Sequence, residues 1–177
     1  MTWTSFHRRG EILRDVIASA NRRRDGRLPM DLTGVAETFG DELSLLGALQ
    51  LRWHTRLAGR IERELMSQPM ELEDTVVAAW HATADELPGV LAVLDRQRTD
   101  PSSPELAEAM AKAVSKERIM LAMMAGRASV PDEVAVRIGA HIEERARATY
   151  GPTPVPDAPA GSRAAGLLGR LKAVVAA

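Results

Sequence analysis

The residues in this sequence whose type and spacing can do chemistry are histidines beside tryptophans. Trp3 has His7 one helical turn on, Trp53 is followed by His54 and Trp80 by His81, while His141 stands apart. Imidazole titrates near neutrality and ligates metals, so two such histidines meeting across a groove would suit acid–base or metal chemistry. Neighbouring helix positions point about 100° apart. If Trp53 and Trp80 anchor a core, His54 and His81 stand at its boundary, with Glu42, Asp74 and Asp85 as possible carboxylate partners. His54, His81 and Asp85 are therefore the candidate polar site. The same spacing also describes half-exposed histidines flanking core tryptophans, and that plainer reading is the one the pattern favours.

The familiar constellations are missing from the chain. A carboxylate-bridged di-iron bundle needs Glu-x-x-His pairs, but the residues three before the four histidines are Thr4, Leu51, Ala78 and Ile138. The sequence contains no His-Glu-x-x-His, no Gly-x-Ser-x-Gly elbow, no Gly-x-Gly-x-x-Gly and no Walker-type Gly-Lys-Ser or Gly-Lys-Thr. Without any cysteine, disulfides, thiolate catalysis and Cys-ligated zinc or iron–sulfur sites are excluded. No catalytic residue, metal ligand or cofactor is assigned.

Composition narrows the class further. Hydrophobic residues make up 45% and charged residues 27%, ordinary for a globular chain, while aromatics at 3% are scarce. Ala, Leu, Arg and Glu dominate, which favours helix over strand. The formal net charge of −1 gives no overall field towards nucleic acid or an acidic membrane. Residues 34–47 resemble a helix-turn-helix in spacing, but the second helix carries an apolar stripe where recognition residues would have to be exposed, so nucleic-acid binding is not expected. The arginines at 22–24 suit a solvated helix end better than a phosphate site. No apolar run has the length of a signal-peptide core or a membrane span, which points to a cytoplasmic protein without integral membrane insertion.

Apolar periodicity supplies the elements that must position these residues. A helix is expected from Thr4 or Ser5 to about Arg23, with Phe6, Leu13, Val16, Ile17 and Ala20 on one stripe, and a short one carries Leu32, Val35, Ala36 and Phe39 up to Gly40. Asp41 caps the longest, from Glu42 to about Met66, where Leu45, Leu46, Leu49, Trp53, Leu57, Ile61 and Leu65 recur at three- and four-residue intervals. Glu71 to Ala84 follows with Leu72, Val76, Val77, Ala79 and Trp80 inward, then a short helix beginning near Pro88. Ser103-Pro104-Glu105 opens a Met- and Ala-rich helix to about Ala125, and Ser129 with Asp132 makes a candidate capping box for the last, to about Tyr150. Methionines 66, 70, 110, 120, 123 and 124 suit core packing better than an adaptable recognition surface.

The expected fold is thus all-α, a multi-helix bundle of about six helices over residues 1–150. Residues 151–162, with Pro152, Pro154, Pro156 and Pro159 among small residues, form a linker. Residues 163–177 form a short amphipathic helix, with Leu167, Leu168, Leu171, Val174 and Val175 as its docking stripe and Arg163, Arg170 and Lys172 off it. The leading expectation for function is a non-enzymatic interaction or adaptor protein that binds a protein partner or self-associates, with this tethered helix as a second contact. The alternative is a metal- or cofactor-binding bundle enzyme built on the Trp-His pairs, ferritin-like in shape without the di-iron motif.

Overall fold

The spacing of Leu45, Leu49, Trp53, Leu57 and Ile61 winds one apolar stripe along a single helix, and the fold is assembled around it. The computed structural model describes the backbone of residues 3–151, with side chains from His7 onward. Among these residues there are seven helices and no strand: α1 (Trp3–Arg23), α2 (Val35–Phe39), α3 (Glu42–Leu65), α4 (Leu72–Glu86), α5 (Pro88–Thr99), α6 (Pro104–Met124) and α7 (Glu133–Thr149). Each falls on a segment expected from apolar periodicity, the five-residue α2 and the short α5 included. None of the described helices is long and apolar enough to cross a membrane. The expected linker beyond Gly151 and the stripe Leu167, Leu168, Leu171, Val174 and Val175 lie outside the described residues.

Local chemistry sets the helix boundaries. The Asp41 carboxylate accepts from the Ser44 amide at 2.7 Å and the Ser103 hydroxyl from Leu106 at 3.3 Å, each satisfying an amide that the first turn leaves without a carbonyl. At α7 the cap is Asp132, which accepts from the Ala135 amide at 2.9 Å. The Ser129–Asp132 box expected from the sequence therefore gives way to a helix that begins three residues later, at Glu133. Between α4 and α5 the chain turns on Leu87, which ends one helix and precedes the other, because Pro88 has no amide with which to continue α4.

Leu45, Leu46, Leu49, Trp53, Leu57 and Ile61 of α3 are all buried, and so are Val76, Ala79 and Trp80 of α4 and Val90, Val93 and Leu94 of α5. Each such Leu, Ile or Val side chain contributes about 1.5–3 kcal/mol through removal of its surface from water. Leu72, expected inward, is 39% exposed, since α4 begins at the edge of the bundle and its first turn overhangs the core. Two close approaches require glycine. A Cβ at Gly89 would fall on the Ala20 carbonyl where α5 crosses α1, and one at Gly139 would fall on the Arg118 carbonyl where α7 lies on α6. Asn21 fastens the first crossing, accepting from the Gly89 amide at 2.9 Å and donating to the Glu86 carbonyl at 3.3 Å.

Candidate functional site

Trp53 and Trp80 meet in the core edge to face, with centroids 5.9 Å apart at 75°, a geometry that sets the positive rim of one ring against the other's π-face. Their histidine neighbours then point to different places. His81 enters the seam between α4 and α7, where a ring nitrogen lies 2.8 Å from the Ala146 carbonyl oxygen and 3.2 Å from the Thr149 hydroxyl. Tyr150 packs on both Trp80 and His81, at 5.7 Å from each, and donates its hydroxyl to Asp85 at 2.9 Å. Burial, with the Asp85 carboxylate beside it, pushes the Tyr150 phenol up to about 12. Arg145 ties the same seam nearer its start, bonding Glu73 at 3.0 Å and also Asp74. His81 and Asp85 are therefore brought together, through Tyr150.

Deeper between α5, α6 and α7 sits a cluster that the sequence reading missed. Glu143 is 4% exposed and receives guanidinium groups from three helices: Arg98 of α5, Arg118 of α6 at 2.9 Å and Arg147 of α7 at 2.9 Å. Burial acts to raise its carboxyl, but these charge-assisted hydrogen bonds outweigh that and hold it down at about 2. Arg147 also pairs with Asp95 at 2.7 Å and lies over the Trp80 ring, 5.3 Å from its centroid. The neighbouring Glu117 has no arginine of this kind. It accepts from the Trp53 indole at 3.0 Å, and burial pushes its carboxyl up to about 7, with the Glu143 charge adding to the rise.

Signals for both acids are present in the sequence. Glu143 falls on the inward stripe Ala135, Gly139, Ile142, Ala146 of α7, and Glu117 continues Leu106, Met110, Val114 towards Leu121 on α6. A carboxylate at an inward position needs a partner there. Between the two acids lies a cavity of about 20 Å³ bordered by Gln50, Asp95, Arg98 and Arg147. That is room for a single water and not for an organic substrate.

His54 goes elsewhere. It lines a groove of about 440 Å³ between α3 and α6, with Gly47 and Leu51 on one wall and Met110, Ala113 and Lys116 on the other. Burial, and secondarily the Lys116 charge, hold its imidazole below the usual value. A second groove of about 440 Å³ runs between α1 and α3 past Gly10, Leu13 and Ala48, sharing Gly47 and Leu51 with the first. Leu51, 66% exposed, is thus a ridge between two apolar channels. Gln50 borders both the first groove and the internal cavity, and its side-chain oxygen is buried without a hydrogen-bond partner in the protein.

His54 and His81 consequently serve separate surfaces. Among the described residues no three His, Asp or Glu side chains are grouped so as to hold a metal ion. The methionines divide as well: Met110 is buried, Met120 and Met124 pack on the core, and Met66, Met70 and Met123 are exposed. No protein-family model matches the chain, and no curated protein or solved structure matches it either.

Proposed function

We propose that this chain is a helical interaction protein whose α3–α6 groove receives an amphipathic helix of a protein partner. The observation that carries the reading is the groove itself: an apolar channel of about 440 Å³ open on a folded bundle, bounded by an exposed leucine. Helix-in-groove recognition inserts apolar side chains at helical spacing into such a channel. Leu51 and Ala113 offer the apolar contact, above the buried Met110 at the floor of the groove. Lys116 on the α6 wall, beyond Lys112 and its partner Glu108, favours an acidic residue flanking the partner's apolar stripe.

Selection of helical peptides from a displayed library on the full chain tests the reading. The expected binders carry an apolar stripe flanked by Asp or Glu, and lose affinity for a Leu51→Asp variant. Binders with no acidic preference that hold the Leu51→Asp variant equally well would remove the groove from consideration.

A further inference from the structure

Apart from Leu43 at the start of α3 and the Leu51 ridge, exposed large apolar side chains gather at one end of the bundle. Met66 (81% exposed), Met70 (95%) and Leu72 come from the turn between α3 and α4, and Met123, Val130 and Val134 from the turn between α6 and α7. The two turns adjoin, since Leu72 lies against Gly126 and Glu73 pairs with Arg127 at 3.3 Å. Such a concentration of apolar surface on one face is unusual unless something covers it. The surroundings are acidic: Glu62, Glu64, Glu71, Asp132 and Glu133 are exposed on these turns and the helix ends beside them, against Arg63, Arg127 and Arg137.

We propose that the chain's own segment 163–177 covers this end. Its composition is the complement of the surface. Leu167, Leu168, Leu171, Val174 and Val175 fall on one helical stripe, and Arg163, Arg170 and Lys172 are its charged residues, with no acid between 163 and 177. The α3–α6 groove offers it no acid to match, because Lys116 there is of like sign and Glu108 is already paired with Lys112. The tether also has the required length. Tyr150 follows the far end of α7, whose 17 residues separate it from the α6–α7 turn by about 26 Å at the usual helical rise. Residues 151–162, at about 3.1 Å per residue in the extended form that closely spaced prolines favour, reach about 37 Å. The reach covers the length of α7 with some left to turn onto the surface. The inference is independent of what occupies the α3–α6 groove.

Methionine oxidation reads the surface directly. The full chain, and the full chain carrying Leu168→Asp with Leu171→Asp, are exposed to hydrogen peroxide and each methionine is followed by mass spectrometry. Met66 and Met70 are expected to oxidise several-fold more slowly in the native chain, at every protein concentration, while the buried Met110 is equally slow in both and reports an intact fold. Glu71→Lys with Glu133→Lys, which removes the charge complementarity from the other side, is expected to accelerate Met66 and Met70 as the tail substitutions do. Equal rates in the native chain and the tail variant would overturn the proposal. Protection that disappears on dilution would overturn it too, by assigning the surface to a second copy of the chain.

Discussion

The two Trp-His dipeptides face opposite fates. Along the α4–α7 seam, His81 contacts the Ala146 carbonyl, Tyr150 reaches Asp85 and Arg145 reaches Glu73, so polar side chains stitch the two helices together. Along the α3–α6 seam, His54 is paired across the gap with no such group: Lys116 is its electrostatic neighbour, of like sign, and the helices leave a groove between them. Trp53 and Trp80 are equally buried, so the difference does not come from the core. It comes from what the facing helix presents to the histidine, a carbonyl and hydroxyl in one case and a lysine with small apolar residues in the other. A closed seam contributes to stability, whereas an open apolar one is where binding energy is available.

The largest effect is expected at Glu143, the acid buried behind the closed seam, where α7 meets α5 and α6. Glu143→Ala leaves the guanidinium groups of Arg98 and Arg118 without their carboxylate, and is expected to cost about 3–5 kcal/mol in urea unfolding. A cost close to that of an average surface substitution would mean that the cluster is solvated and the closed side no more specified than the open one.

Glu117 gives the next largest effect, and its sign is opposite to the usual one for an acid. Its folded carboxyl at about 7 stands above the unfolded value of 4.5, so between these values the folded chain holds a proton that the unfolded chain has released. Stability from this group is therefore full below about pH 4.5 and declines as pH rises through 7, by up to about 3 kcal/mol. Glu143, lowered to about 2, does the reverse and loses its contribution as pH falls from 4.5 to 2. His54, also lowered, loses its contribution as pH falls below 6.5 and so opposes Glu117 over part of the range. The difference between native protein and Glu117→Gln isolates the one group. The variant, whose amide oxygen can still accept from Trp53, is expected to gain on the native chain from pH 4.5 to about 7 and to level off above it in thermal unfolding, and a flat difference would show that Glu117 is ionised throughout.

How far this contrast was legible in the sequence depends on what set each feature. The α3 stripe was fully readable, because burial of Leu45, Leu49, Trp53, Leu57 and Ile61 follows from helical periodicity and nothing else. Capping by Asp41 and Ser103 was readable for the same local reason, while Ser129 competed with Asp132 and lost, a choice that depends on how the turn after α6 is held. The partners of Glu143 were not readable. Arg98, Arg118 and Arg147 come from three helices, and periodicity tells which face turns inward without telling which residue of another helix meets it. His54 and His81 looked alike for that reason: identical local context, with the difference residing in α6 and α7.

His81→Ala, which leaves the Ala146 carbonyl short of its contact, is expected to cost about 1 kcal/mol. Leu51→Asp, on the exposed ridge, is expected to change stability by no more than about 0.5 kcal/mol. The most direct test sets these two variants side by side, as binding isotherms of one acid-flanked, leucine-striped helical peptide to the full chain and to each of them. Binding abolished by Leu51→Asp and kept by His81→Ala is the predicted result. Binding that survives Leu51→Asp, or that is lost in His81→Ala while the fold is intact, would contradict the assignment of the open seam as the docking surface.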